Sequence, residues 1–286
     1  MNGCQLGEFT ATCGMISPSM TRILSLASVC AALTFSAVHT KAMGDARQRG
    51  SVQGDAPATS AFRIQPATTQ LIVGIAPDWD SSHVSLQRYE RSRGGAWQPV
   101  GAAVPGRLGR SGLVWGLGLH PVPAGATLKR EGDGRAPAGA FALGSAYGYA
   151  ADVRRQPSLP YHQVTEADMW VEDPESPHYN RHLRNPHGAP RNQWEEEQQM
   201  RQNDHAHSLK LFVAHNSGER VVPNGGSAIF FHIWRDGGAR PSAGCTVMDE
   251  SALRDLIAWT DPRRYPVYVL LPRAEYQRLR GLWGLP

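Results

Sequence analysis

Lysine is almost missing: only Lys41, Lys129 and Lys210 stand among 29 basic residues, so arginine carries nearly all the positive charge. No apolar run reaches the roughly 20 residues a spanning helix needs, which excludes a multi-pass membrane protein. No repeat period or low-complexity tract stands out, which argues against a solenoid. Several catalytic signatures are absent as well. There is no H-E-x-x-H, and Ala126 and His207 occupy the positions three before Lys129 and Lys210, so no S-x-x-K exists. Gly144-Ser145 lacks the spacing of G-x-S-x-G. A formal net charge of +4 without a clustered basic stripe gives no reason to expect a nucleic-acid partner.

The 286 residues, 41% of them hydrophobic, suffice for one large domain or two small ones. Thirty glycines and 21 prolines favour a turn-rich fold over a helical bundle. Residues 1–42 read as a secretory signal peptide, with Arg22, an apolar run over 23–38 and Thr40-Lys41-Ala42 as a small-residue exit. The first 19 residues carry Glu8 and no positive charge, so Met20 is the expected natural start. The alternative is a buried N-terminal helix or anchor. Residues 43–65 are expected to be a flexible linker and 66–286 the functional domain of a secreted, periplasmic protein. Cys4, Cys13 and Cys30 leave with the leader. Cys245 then remains alone in an oxidising compartment, as a link to another chain, an inert buried thiol or a reactive nucleophile.

Short apolar or alternating runs at 70–76, 84–89, 97–100, 113–119, 208–214, 227–234 and 267–271, separated by turn residues, predict strands and a mostly β fold. A two-residue period puts Ile229, Phe231 and Ile233 on one face of their strand and Phe230, His232 and Trp234 on the other. Asp249 is placed to cap a helix running to Trp259 whose apolar face is Leu253, Leu256 and Ile257, with Asp261-Pro262 ending it. Residues 150–207 are a long, proline-rich, irregular insertion with a short polar helix expected over 193–201. An insertion of this kind is a binding wall or a surface excursion.

The lone mature cysteine sits in Ser242-Ala243-Gly244-Cys245-Thr246, behind a glycine-rich loop, with His232 upstream on a predicted strand. An ordinary thiol has a pKa of about 8.5, and a neighbouring imidazole is expected to lower it and yield thiolate. Thiolate attacks carbonyls, and backbone N–H groups around Gly244 and Cys245 can hold an oxyanion. One cysteine and one histidine are equally what a core contains.

His232 followed by Ser242-Ala243-Gly244-Cys245 resembles the active-site pattern of the YkuD-like L,D-transpeptidases, a histidine followed by Ser/Thr-x-Gly-Cys. The run from Glu131-Gly132-Asp133-Gly134 through Pro137-Ala138-Gly139-Ala140-Phe141 is similar to the family's "EGDGxTPxGxF" segment. Leu159-Pro160-Tyr161, Trp170-Val171-Glu172-Asp173-Pro174, Tyr179-Asn180 and the run from Val222 to His232 resemble a branch of secreted members. The resemblance implies a β-sandwich with few short helices that acts on peptidoglycan without a cofactor. Cys245 would be the nucleophile, His232 the general acid/base, and Gly244 and Ser242 the oxyanion and supporting residues. Tyr161, Trp170 and Asn180 are candidate substrate contacts. The implied partners are a stem tetrapeptide donor and an amine acceptor, with a carbapenem as covalent inhibitor. Three positions depart from the family pattern: Ile233 follows the histidine where many members have Gly, Val247 stands where many have Arg, and Ala243 replaces a histidine common in other branches.

Two rival readings remain at this point. A zinc-dependent cell-wall peptidase or amidase would draw ligands from His178, His182, His187, His205 and His207, with Glu195, Glu196 and Glu197 nearby, though no fixed ligand spacing appears. A non-catalytic peptidoglycan-binding envelope protein would use the eight tryptophans.

Overall fold

The computed structural model of the protein describes residues 62–286, so the expected leader and most of the expected linker lie outside the described residues. Twelve strands and three α-helices follow in order: β1 (Gln70–Ala76), β2 (His83–Glu90), β3 (Gln98–Arg107), β4 (Leu113–Trp115), β5 (Ala136–Gly148), β6 (Tyr161–Gln163), β7 (Asp168–Trp170), β8 (His182–Arg184), α1 (Gln193–Glu197), β9 (Leu209–Val213), β10 (Phe230–Ile233), β11 (Thr246–Met248), α2 (Glu250–Trp259), β12 (Val267–Pro272) and α3 (Arg273–Trp283). No helix among the described residues is long and apolar enough to cross a membrane.

Eight strands pair in the order β12-β1-β2-β3-β11-β10-β9-β5, and β5 pairs again with β12. The expected two-sheet sandwich is therefore a closed, barrel-like ring. Closure rests on β12, bonded in parallel to β1 (Leu71 opposite Val267) and antiparallel to β5 (Val267 opposite Ala142). The 13-residue β5 makes this possible because its register shifts between Leu143 and Ala146. Such an irregularity bends a strand, so its first half reaches β12 and its second half β9.

The alternation read in β10 holds: Ile229, Phe231 and Ile233 join the main core, while Phe230 belongs to a second cluster with Tyr147, Val164, Trp170 and Met200. The predicted cap of α2 also forms. Asp249 accepts from the Ser251 N–H at 2.8 Å, and Leu253, Leu256 and Ile257 are buried. Helix α1 is shorter than expected. After Glu197 the chain turns to run beside β7, with the Trp170 N–H donating to Gln198 O and the Met200 N–H to Asp168 O, both at 2.9 Å. Packing also begins earlier than residue 66, because Ile64 is buried in the main core and its N–H donates to Trp283 O at 2.9 Å.

Candidate active site

Strands β9, β10 and β11 lie side by side, with Lys210 opposite His232 and His232 opposite Val247. The turn that carries Cys245 ends where β11 begins. It is pinned by Ser242, whose hydroxyl donates to Cys245 O at 2.6 Å and accepts from the Gly244 N–H at 3.0 Å. Gly244 is needed for close approach, since a Cβ there would lie 3.0 Å from Arg135 O. Ser242 and Gly244 thus shape the turn. The Gly244 N–H is spoken for, which leaves the Cys245 N–H, without an acceptor among the described residues, as the candidate oxyanion donor.

Cys245 is partly accessible and lines a cavity of about 350 Å³ together with His232, Lys129, Glu131, Glu172, His207 and Arg235. Its Sγ accepts from the Phe230 N–H and donates to Ala228 O, each at 3.4 Å. His232 is 4% exposed, and its Nδ1 lies 2.8 Å from Ile233 O. A carbonyl can only accept, so Nδ1 carries the proton and Nε2 keeps its lone pair. The group that orients this imidazole is thus the carbonyl of the next residue, independent of which side chain occupies position 233.

Electrostatics at the pair differ from the expectation of a preformed thiolate. Burial pushes the Cys245 thiol up to about 11, with the Phe230 N–H, Lys210 and Lys129 opposing and Glu172 reinforcing the shift. Burial also holds His232 down at about 4, aided by the charges of Lys210 and Arg235, against the pull of the Ile233 and Ala206 carbonyls. The resting pair is therefore neutral thiol and neutral imidazole. The His207 ring stacks on His232 with centroids 4.6 Å apart, and its own pKa is driven far below the ordinary value by burial and by the neighbouring cations.

The insertion supplies one wall of the cavity through Glu172, Gln202 and His207. Glu172 keeps an exposed surface on the rim, yet its carboxyl is surrounded by protein. That desolvation, with Glu131 close by, pushes it up to about 7. Glu131 itself accepts from the Tyr179 hydroxyl and, at 2.7 Å, from Ser227 Oγ. The opposite wall is the segment that resembles the family's EGDG motif. Asp133 pins it by accepting from Lys129 Nζ at 2.7 Å and from the Arg130 and Arg135 N–H groups at 2.9 and 2.8 Å.

Tyr161, Trp170 and Asn180 do not line this cavity. Tyr161 lies on β6, with its hydroxyl donating to Ala150 O at 2.6 Å. Trp170 and Asn180 lie beneath the cavity. Trp170 Nε1 donates to Asn180 Oδ1 at 2.8 Å, and the same oxygen accepts the Ala228 N–H at 3.0 Å. Ala228 has φ of 53°, a left-handed conformation that costs energy in a residue with a Cβ. Asn180 thereby holds the strained residue whose carbonyl receives the Cys245 thiol. Sequence reasoning missed Lys129, Glu131 and Glu172 as cavity groups; the rarity of lysine was the available signal for the first.

The histidines considered as zinc ligands are dispersed. His182 pairs with Asp168 at 2.9 Å, His187 with Glu195 at 3.4 Å and His205 with Glu250 at 2.9 Å. No three His, Cys, Asp or Glu side chains among the described residues are arranged to hold a metal ion. A larger cavity of about 720 Å³ lies across the segment 128–135, lined by Trp79, Leu113, Trp115, Leu128, Arg130 and Arg135 among others. It holds no cysteine or histidine, so size does not locate the chemistry.

No curated protein matches the chain. The model of the YkuD L,D-transpeptidase catalytic domain matches residues 106–269, more than half of the chain and including both His232 and Cys245. A thiol and an oriented imidazole facing one cavity are what such a catalytic domain requires, and the chain belongs to the YkuD L,D-transpeptidase family, whose members act on peptidoglycan peptides.

Proposed function

We propose that the protein is a secreted, periplasmic cysteine acyltransferase that exchanges amide bonds in peptidoglycan stem peptides, with Cys245 as nucleophile and His232 as general acid/base. The observation that carries this reading is the placement of both side chains on one cavity, with His232 Nε2 left as an acceptor by the Nδ1–Ile233 contact.

The neutral resting pair sets the order of events. Cys245 Sγ leaves the Ala228 carbonyl and attacks the carbonyl carbon at the L-centre of the donor's diaminopimelate, while His232 Nε2 takes the thiol proton. The oxyanion so formed is met by the Cys245 N–H. Collapse of the tetrahedral species breaks the C–N bond, and the imidazolium passes its proton to the departing D-alanine amine. A thioester remains on Cys245. An acceptor amine then attacks that thioester, His232 takes the amine proton, and the sulfur leaves and is reprotonated. The product is a 3→3 cross-link or a related exchanged amide.

A carbapenem presents a strained lactam carbonyl to the same sulfur. Intact mass after carbapenem treatment should show one added drug mass on the wild type and none on Cys245→Ala. A wild type that never gains the mass, while its fold is intact by circular dichroism, overturns the reading. The Cys245→Ala variant should also lose all tetrapeptide turnover.

A further inference from the structure

Lys210 is one of two lysines in the described residues and is 4% exposed. Lysine is almost never so buried unless an opposite charge accompanies it, because desolvating an ammonium costs several kcal/mol. Lys210 has no carboxylate within ion-pair distance among the described residues. Its Nζ makes one hydrogen bond, to Met200 O at 3.1 Å, and lies 5.6 Å above the Phe230 ring. What it does have beside it is the reactive pair. It is the cross-strand partner of His232, and the backbone N–H of Phe230 bonds Cys245 Sγ. A buried cation without a counter-ion next to a thiol suggests that the counter-ion is one that appears only during the reaction.

We propose that Lys210 is a positioning residue: its buried ammonium stabilises negative charge on the Cys245 sulfur and drives the His232 imidazolium to give up its proton to the leaving amine. The inference rests on the nucleophile reading above. Charged and titratable groups that face Lys210 are Tyr147 across from it on β5, His232 and Arg235 on and after β10, Cys245 before β11, and Glu172, Asp204 and His207 from the insertion. Glu172 and Asp204 favour the ammonium without pairing with it. Burial holds Lys210 down at about 8, which leaves it mostly charged at neutral pH. Its charge acts with the same sign on both reacting groups, lowering the thiol and the imidazole alike.

The test is alkylation of Cys245 by iodoacetamide between about pH 6 and pH 10, followed by intact mass, on the wild type and on Lys210→Met, Lys210→Gln and Lys210→Arg. Loss of the charge should raise the thiol pKa by about one unit, tenfold in thiolate. The more basic thiolate is also the better nucleophile, so the net expectation for Met and Gln is roughly threefold slower alkylation below about pH 8, where the wild-type lysine keeps its proton, and a difference that fades above it. Arg should stay within about twofold of wild type because it keeps the charge. The His232 imidazole resonance should titrate at higher pH in both neutral variants. Lys210→Met should melt no lower than wild type, since an apolar side chain replaces a buried unpaired charge. Neutral variants with a wild-type pH profile overturn the role of Lys210 and leave the nucleophile reading standing. A folded wild type that is alkylated at no pH overturns both.

Discussion

The segment 128–135 separates two cavities of opposite character. On one side Leu128, Arg130 and Arg135 join Trp79 and Trp115 around about 720 Å³. On the other, Lys129, Glu131 and Gly132 face about 350 Å³ that also holds Cys245 and His232. The larger space has hydrophobic surface and no nucleophile. The smaller is lined by two carboxylates, Glu131 and Glu172, two cations, Lys129 and Arg235, and two imidazoles, His207 and His232, beside the Cys245 sulfur. What distinguishes the two is the wall rather than the volume: adjacent residues of one turn send their side chains to different sides, and only one side meets β10 and the cysteine turn.

The comparison breaks most sharply at the imidazole. His232→Gln should slow carbapenem acylation about 10²–10⁴-fold, the range for loss of a general acid/base, with the fold retained by near-UV circular dichroism. Trp115→Ala on the far side should instead cost about 3–5 kcal/mol of stability, as truncation of a buried aromatic does. Acylation per folded molecule should stay at the wild-type rate. A slower rate there would show that the two cavities communicate through their shared wall. Beneath the small cavity, Asn180→Ala should cost about 1–3 kcal/mol by orphaning buried partners. Unlike Trp115→Ala, it should also slow acylation, because the Ala228 carbonyl loses its brace.

The gentlest effect is on pH dependence. His120 and His232 are held near 4 and His215 near 3 by burial, against an unfolded value of 6.5. Their folded pKa values are depressed, so the unfolded chain takes up protons first. Full stability is present above 6.5 and declines as the pH falls toward 4. Melting temperatures measured across this window should fall with pH, and His232→Gln should flatten the decline without abolishing it.

The pairing of Cys245 with His232 on one cavity was legible because both fall in a short stretch: a strand of alternating side chains, a glycine loop and a lone thiol. Strands such as Gln70–Ala76 were legible for the same local reason, a run of β-branched and apolar residues. The longest strand was not. APAGAFALGSAYG has little β propensity, and what makes it a strand is pairing along both edges with β12 and β9. Even its Gly139 is fixed by tertiary contact, since a Cβ there would sit 1.9 Å from His120 Cε1. Helix α3 went unread because only Leu279 and Trp283 are buried along it, too sparse a stripe to signal a helix. Trp170 and Asn180, expected as substrate contacts, lie off the cavity lining and brace Ala228 through the Asn180 side chain. Position relative to the cavity surface is set by the insertion's path, which no local periodicity encodes.

The ring is sealed by its last strand. Until Val267–Pro272 is in place, β1 and one edge of β5 present open ladders of N–H and C=O groups. A chain cut short before residue 267 would thus carry two sticky borders in place of a seamless wall, and its fate should be self-association rather than a weakened enzyme. Presence of the C-terminal strand, itself no part of the cavity wall, decides whether the ring closes at all.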